Sequence, residues 1–162
     1  MLEFQGIPFI VTNPPLSPVS AQELSVVENE LGFLFPDDYR AFITTFGAGE
    51  INLHIGAFSP KDILEMLHET RERFSEYWLW DESPTSLRQT RAIECVPFFD
   101  SCDGDDILFH PSERNCWFIL PHEDEEIFMV QSFRELCNFY AQRYADKEGN
   151  PMQPPFEFSR YE

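Results

Sequence analysis

Four aspartates crowd one seven-residue stretch, "DSCDGDD", at Asp100, Asp103, Asp105 and Asp106. Oxygen ligands at that density suit a hard cation such as calcium or magnesium. A calcium loop of the EF-hand type needs Gly at its sixth position and Glu at its twelfth. With Gly104 sixth, Phe99 falls first and His110 twelfth, so that geometry is excluded. A looser magnesium or calcium site is the alternative; a solvated hairpin turn shaped by "DGD" is the reading adopted. A second acidic run, Glu123, Asp124, Glu125 and Glu126, stands beside a strand-like segment. Such a run can simply guard a sheet edge from pairing. It can also act with the first as an anionic docking face, provided both loops project from the same end of the sheet.

Other chemistry finds little support. His54, His68, His110 and His122 show no HxxxH or HExxH spacing for zinc. Cys102 sits among acids, which raise a thiol's pKa and oppose a nucleophilic role. There is no GxSxG elbow, phosphate-binding P-loop or GxGxxG turn. With 29 acidic residues, a pair of carboxylates identifies nothing. The expectation is a chain without catalytic residues, metal or cofactor.

Eleven basic residues against 29 acidic ones leave a net charge of −18. That field repels nucleic acid and anionic lipid, and it speeds encounter with a basic partner. Aromatic residues make up 15% of the chain, 17 of them Phe, which provides core material that acidic disordered chains lack. A length of 162 residues fits one domain. The start, "MLEFQGIPFIVTNPP", has no cationic region, and its apolar stretch is too short for a signal peptide or a membrane span. Cytoplasmic residence is therefore expected, with Cys95, Cys102, Cys116 and Cys137 as thiols.

The elements that must position these residues follow from punctuation and periodicity. Residues 1–19 are proline-rich and predict an extended lead-in with one strand at Ile7–Val11. "SAQE" from Ser20 is a capping box, and the helix it starts carries Leu24, Val27 and Leu31 to a stop at Gly32. Pro36 opens a second helix near its first position, with Asp37 and Asp38 in the first turn. Tyr39, Phe42, Ile43 and Phe46 form its apolar face, and Gly47 ends it. "INLHIGAF" (51–58) reads as a strand, and "SPKD" from Ser59 begins a helix with an apolar stripe to about Trp78. Strand-like runs at 92–99, 106–110, 116–120 and 126–130 make a meander. "SFRE" from Ser132 is a second capping box, and the helix it opens carries Phe133, Leu136, Cys137, Tyr140 and Tyr144 on one face. The tail 146–162 is extended, with aromatics able to fold back. The predicted class is α+β: one domain with an antiparallel sheet of about four to six strands, covered by N-terminal helices and a C-terminal helix.

The order of these features resembles the SUKH superfamily, which includes fungal cell-wall-synthesis regulators and bacterial toxin-immunity proteins. The resemblance rests on Glu28 and Gly32 closing the first helix, Pro36 and Tyr39 opening the next, and Gly47 with Gly49. Pro97, Phe98, Gly104, Asp105 and the Ser132–Phe133 helix start complete it, over about residues 20–145. Phe46-Gly47 replaces the Asn-Gly often found at the corner, and His110 stands near where an Asp is common. The resemblance implies an α+β fold, a free monomer, and binding of one cognate toxin domain without chemistry. A nuclease toxin must be cationic to hold phosphates, so an acidic inhibitor suits it. The alternatives are a regulatory protein-interaction scaffold or, in a different class, a small-ligand-binding or hydrolytic domain.

Overall fold

The computed structural model describes residues 1–76, 87–122 and 126–162. The order of elements is β1 (Leu2–Phe4), β2 (Ile7–Val11), α1 (Ala21–Leu31), α2 (Asp37–Thr45), β3 (Gly49–Ile51), β4 (Ile55–Ala57), α3 (Pro60–Ser75), α4 (Gln89–Ala92), β5 (Val96–Ser101), β6 (Asp106–Phe109), β7 (Trp117–Leu120), β8 (Phe128–Val130), α5 (Phe133–Arg143) and β9 (Phe156–Arg160). The class is α+β, as expected. The strand number is not: one sheet holds nine described strands in the order β1-β2-β9-β3-β4-β5-β6-β7-β8.

Three differences account for the extra strands. The lead-in forms a hairpin, with Leu2 opposite Phe9, rather than a single strand. "INLHIGAF" contains two short strands, because His54 takes a positive φ of 59° and the chain reverses before Ile55. The tail supplies β9, which lies between β2 and β3. β9 runs parallel to β2 and antiparallel to β3, so the sheet is mixed. Phe156 and Phe158 are buried there, which carries the tail into the middle of the sheet. The remaining pairs, β3 through β8, form the antiparallel meander.

Local signals set the helix ends. Ser20 accepts from the Glu23 amide at 3.1 Å, and Glu23 accepts from the Ser20 amide at 3.0 Å, a complete capping box. Gly32 adopts φ +82°, a left-handed stop that spares it the Cβ penalty. Pro36 occupies the N-cap of α2, one position before the expected one. Ser59 caps α3 with Pro60 as the first helical residue. The Ser132 box is half formed: Ser132 caps the Glu135 amide, but the Glu135 carboxylate reaches the Gln131 amide instead. Trp78 and most of the predicted polar loop 81–90 lie outside the described residues, as do Glu123, Asp124 and Glu125.

The core lies on both faces of the β6–β7 end. Ile107 and Phe109 of β6 and Trp117 and Ile119 of β7 join a large cluster with α2 and α5. Their neighbours Leu108, Phe118 and Leu120 join a second cluster with Phe74, Leu87 and Ala92. Period-two alternation of the strand explains the split. Rings dominate the larger cluster: Phe42 stacks on Phe46 at 4.8 Å and meets Phe133 at 5.0 Å.

Candidate functional site

The aspartate-rich hairpin is built mostly inward. Asp105 is 2% exposed and immediately precedes β6. Its carboxylate accepts from the Tyr140 hydroxyl at 2.7 Å, from the Arg143 guanidinium at 2.5 Å and from the His122 amide at 3.3 Å. Asp106, one residue on, points to the other side of the pleat. It takes a two-pronged pair of bonds from Arg73 of α3, both at 3.0 Å. Adjacent aspartates thus fasten α5 and α3 to the same strand. Burial raises the Tyr140 phenol well above its usual pKa, reinforced by the Asp105 charge.

Asp100 is the Cα partner of Asp106 across β5 and β6. Burial, and then the Asp106 charge, push its carboxyl up to about 6. Asp103 is exposed and accepts from the Tyr144 hydroxyl at 2.7 Å. Glu126 is exposed two residues before β8. Of the four loop aspartates, the structure therefore leaves Asp103 exposed, holds Asp100 half-buried and binds Asp105 and Asp106 inside. Alternation next to a strand buried on both faces was the available signal, since successive residues there must both face protein.

The positions that carry the family resemblance are ties of the same kind. Glu28, 4% exposed, accepts from the Phe35 amide at 2.8 Å and pairs with Arg40 at 3.2 Å, locking the end of α1 to the start of α2. The Tyr39 hydroxyl donates to the Phe58 carbonyl at 2.7 Å. The Phe133 amide at the start of α5 donates to Asp38 at 2.8 Å. Gly47 has φ +86°, and an added Cβ there would collide with the Ser17 carbonyl. Burial pushes the Cys95 thiol up to about 12, and the Cys137 thiol rises for the same reason.

Glu28, Asp105 and Asp106 are thus tied into the architecture, while Asp103 and the Cys102 thiol remain exposed. A groove of about 880 Å³ runs between α1 and the first turns of α3, with Tyr161 among the residues that line it. Glu23 and Glu30 of α1 face Asp62 and Glu65 of α3 across it. Leu24, Val27 and Leu31 form the inward stripe of α1, as their spacing predicts. Val26 lies on the outward side of α1, about 100° around the helix from Val27; it lines the groove and is 57% exposed. An apolar side chain on the outward face of an amphipathic helix is the signal the sequence offers.

Among the described residues, no helix is long and apolar enough to cross a membrane. A family model, that of the SMI1 / KNR4 family (SUKH-1), matches residues 18–138. No curated protein matches the chain.

Proposed function

Because the chain belongs to the SMI1/KNR4 family (SUKH-1), we propose that it is a non-enzymatic binding protein that acts as an immunity protein, neutralising one basic toxin domain in the cytoplasm. The family supports a protein-interaction or immunity-type domain in general. One observation carries the finer reading. Arg40, Arg73, Arg114 and Arg143 are turned onto Glu28, Asp106, Asp37 and Asp105. These four cations are committed to carboxylates of the fold, which leaves the other acids as the surplus charge. Most of the described carboxylates outside these pairs are exposed, and the chain's net charge is −18, which favours a cationic partner and fast encounter. A toxin that acts on nucleic acid has the matching surface.

Capture from lysate of the source cells at low salt, elution along a salt gradient and mass spectrometry of the eluate test this. The expected result is one basic polypeptide, held in equimolar amount and released as salt screens the attraction. Several unrelated housekeeping proteins would favour a regulatory scaffold instead. Retention of the partner unchanged by salt would overturn the charge-led reading.

A further inference from the structure

Three features of the α1–α3 groove point to one kind of occupant. Its lining carries apolar side chains: Val26, Val27 and Leu64, with Tyr161, 46% exposed, beside them. Val26 and Tyr161 are among the most exposed large apolar side chains of the described residues. Its rim is anionic: Glu23, Glu30, Asp62, Glu65 and Glu162 border it, against Lys61 as the cation lining it. Lys61 itself lies 3.9 Å from Glu65, so its charge is partly answered within the rim. Its walls are two helices, and the valley between two helices receives a third through apolar side chains spaced i, i+3, i+4, i+7.

We propose that this groove seats a cationic amphipathic helix of the partner protein, whose apolar side chains rest on Val26 and Leu64 and whose Lys and Arg residues meet the flanking carboxylates. An anionic small molecule would be repelled by the rim. A second copy of the chain would bring another surface of net charge −18 to an already anionic border. A cationic helix suits both the apolar and the acidic side chains of the lining, burying apolar area while gaining charge pairing that also sets orientation.

The proposal rests on the protein-binding reading and names its surface, and the two fail separately. The probe is a synthetic 16-residue helix with Leu at i, i+3, i+4, i+7 and Lys elsewhere. A control peptide carries Glu in place of Lys. Each is titrated into the 15N-labelled full chain, and amide shifts are mapped. The expected shifts cluster on α1, on the first two turns of α3 and at Ala48. Val26→Glu and Glu65→Lys, both at exposed positions, should each weaken the Lys peptide at least about fivefold without shifting the melting temperature. The Glu peptide should not bind. Shifts scattered over the acidic surface, binding unchanged by Val26→Glu, or no binding of the Lys peptide at millimolar concentration would overturn the groove assignment. If Val26→Glu retains the captured toxin with full affinity, the immunity reading survives and the groove assignment does not.

Discussion

Replacing Asp105 tests whether the aspartate hairpin is architecture or docking surface. Asp105→Ala removes one carboxylate that accepts from Tyr140, Arg143 and the His122 amide. Removing one partner of a buried ion pair costs about 3–5 kcal/mol, because the other charge is left uncompensated. The Arg143 side chain is 26% exposed, so its freed guanidinium can recover some hydration. The buried Tyr140 hydroxyl cannot. The low end of the range, about 3 kcal/mol, is therefore expected. For a chain of this size that is a fall of about 6–12 °C in melting temperature. Asp105→Asn keeps the shape and an acceptor for Tyr140, and should cost about 1–2 kcal/mol. Arg143→Met leaves the carboxylate inside without its charge partner and should match the alanine variant. Urea unfolding followed by circular dichroism gives each value, with the midpoint shifted and the slope unchanged. A double-mutant cycle of Asp105→Asn with Arg143→Met should show coupling of at least about 1 kcal/mol. If every variant stays within about 0.5 kcal/mol of the parent, as surface changes do, the internal ties are not the main role of Asp105, and it returns to the docking surface.

Three further outcomes are expected. Gly47→Val should destabilise by more than about 2 kcal/mol, because a left-handed φ of +86° and the Ser17 carbonyl both oppose a Cβ; Gly149→Ala, at φ +87° with open space around it, should lose only about 1–2 kcal/mol in the same melt. Phe158→Ala should cost about 3–5 kcal/mol by chemical denaturation, since the ring is fully buried against Phe42 and Phe46; a negligible loss would remove β9 from the folded core. Asp100, pushed up to about 6 by burial, binds its proton more tightly folded than unfolded, so its contribution to stability is present below the ordinary aspartate range near 4 and is lost as pH rises through about 6. Asp100→Asn should therefore raise stability at pH 7.5 by on the order of 1 kcal/mol, a figure reduced for solvent screening at this partly exposed carboxyl, and give no gain at pH 4. Equal loss at both pH values in thermal melts would contradict that sign.

Much of the fold is legible in short-range chemistry. Ser20 with Glu23, Gly32, Ser59 with Pro60, and Ser132 mark helix ends because a cap is satisfied by residues three positions away. The strands were harder. Nothing within "PFEFSR" says that Phe156 and Phe158 pair in parallel with β2, which lies nearly the whole chain away. The alternation in "INLHIGAF" hides a reversal at His54, a residue type with no glycine-like signature. The acidic loops show the same limit for function. A count of carboxylates gives the sign of the surface, but Asp105 and Asp106 leave that surface because Arg143 and Arg73 meet them from helices remote in sequence. Conversely, the groove acids Glu23, Glu30, Asp62 and Glu65 look like ordinary solvated helix residues until α1 and α3 are seen side by side.

The central claim, that the chain neutralises a basic partner without chemistry of its own, is tested most directly by one titration. The captured polypeptide is titrated with the purified full chain at 0.05 M and 0.5 M salt, with its toxic activity and its integrity read at each point. The account predicts that activity ends at one chain per toxin, that the toxin stays covalently intact, and that affinity falls at the higher salt. Binding that leaves activity untouched, or inhibition by substoichiometric amounts of chain, would contradict it.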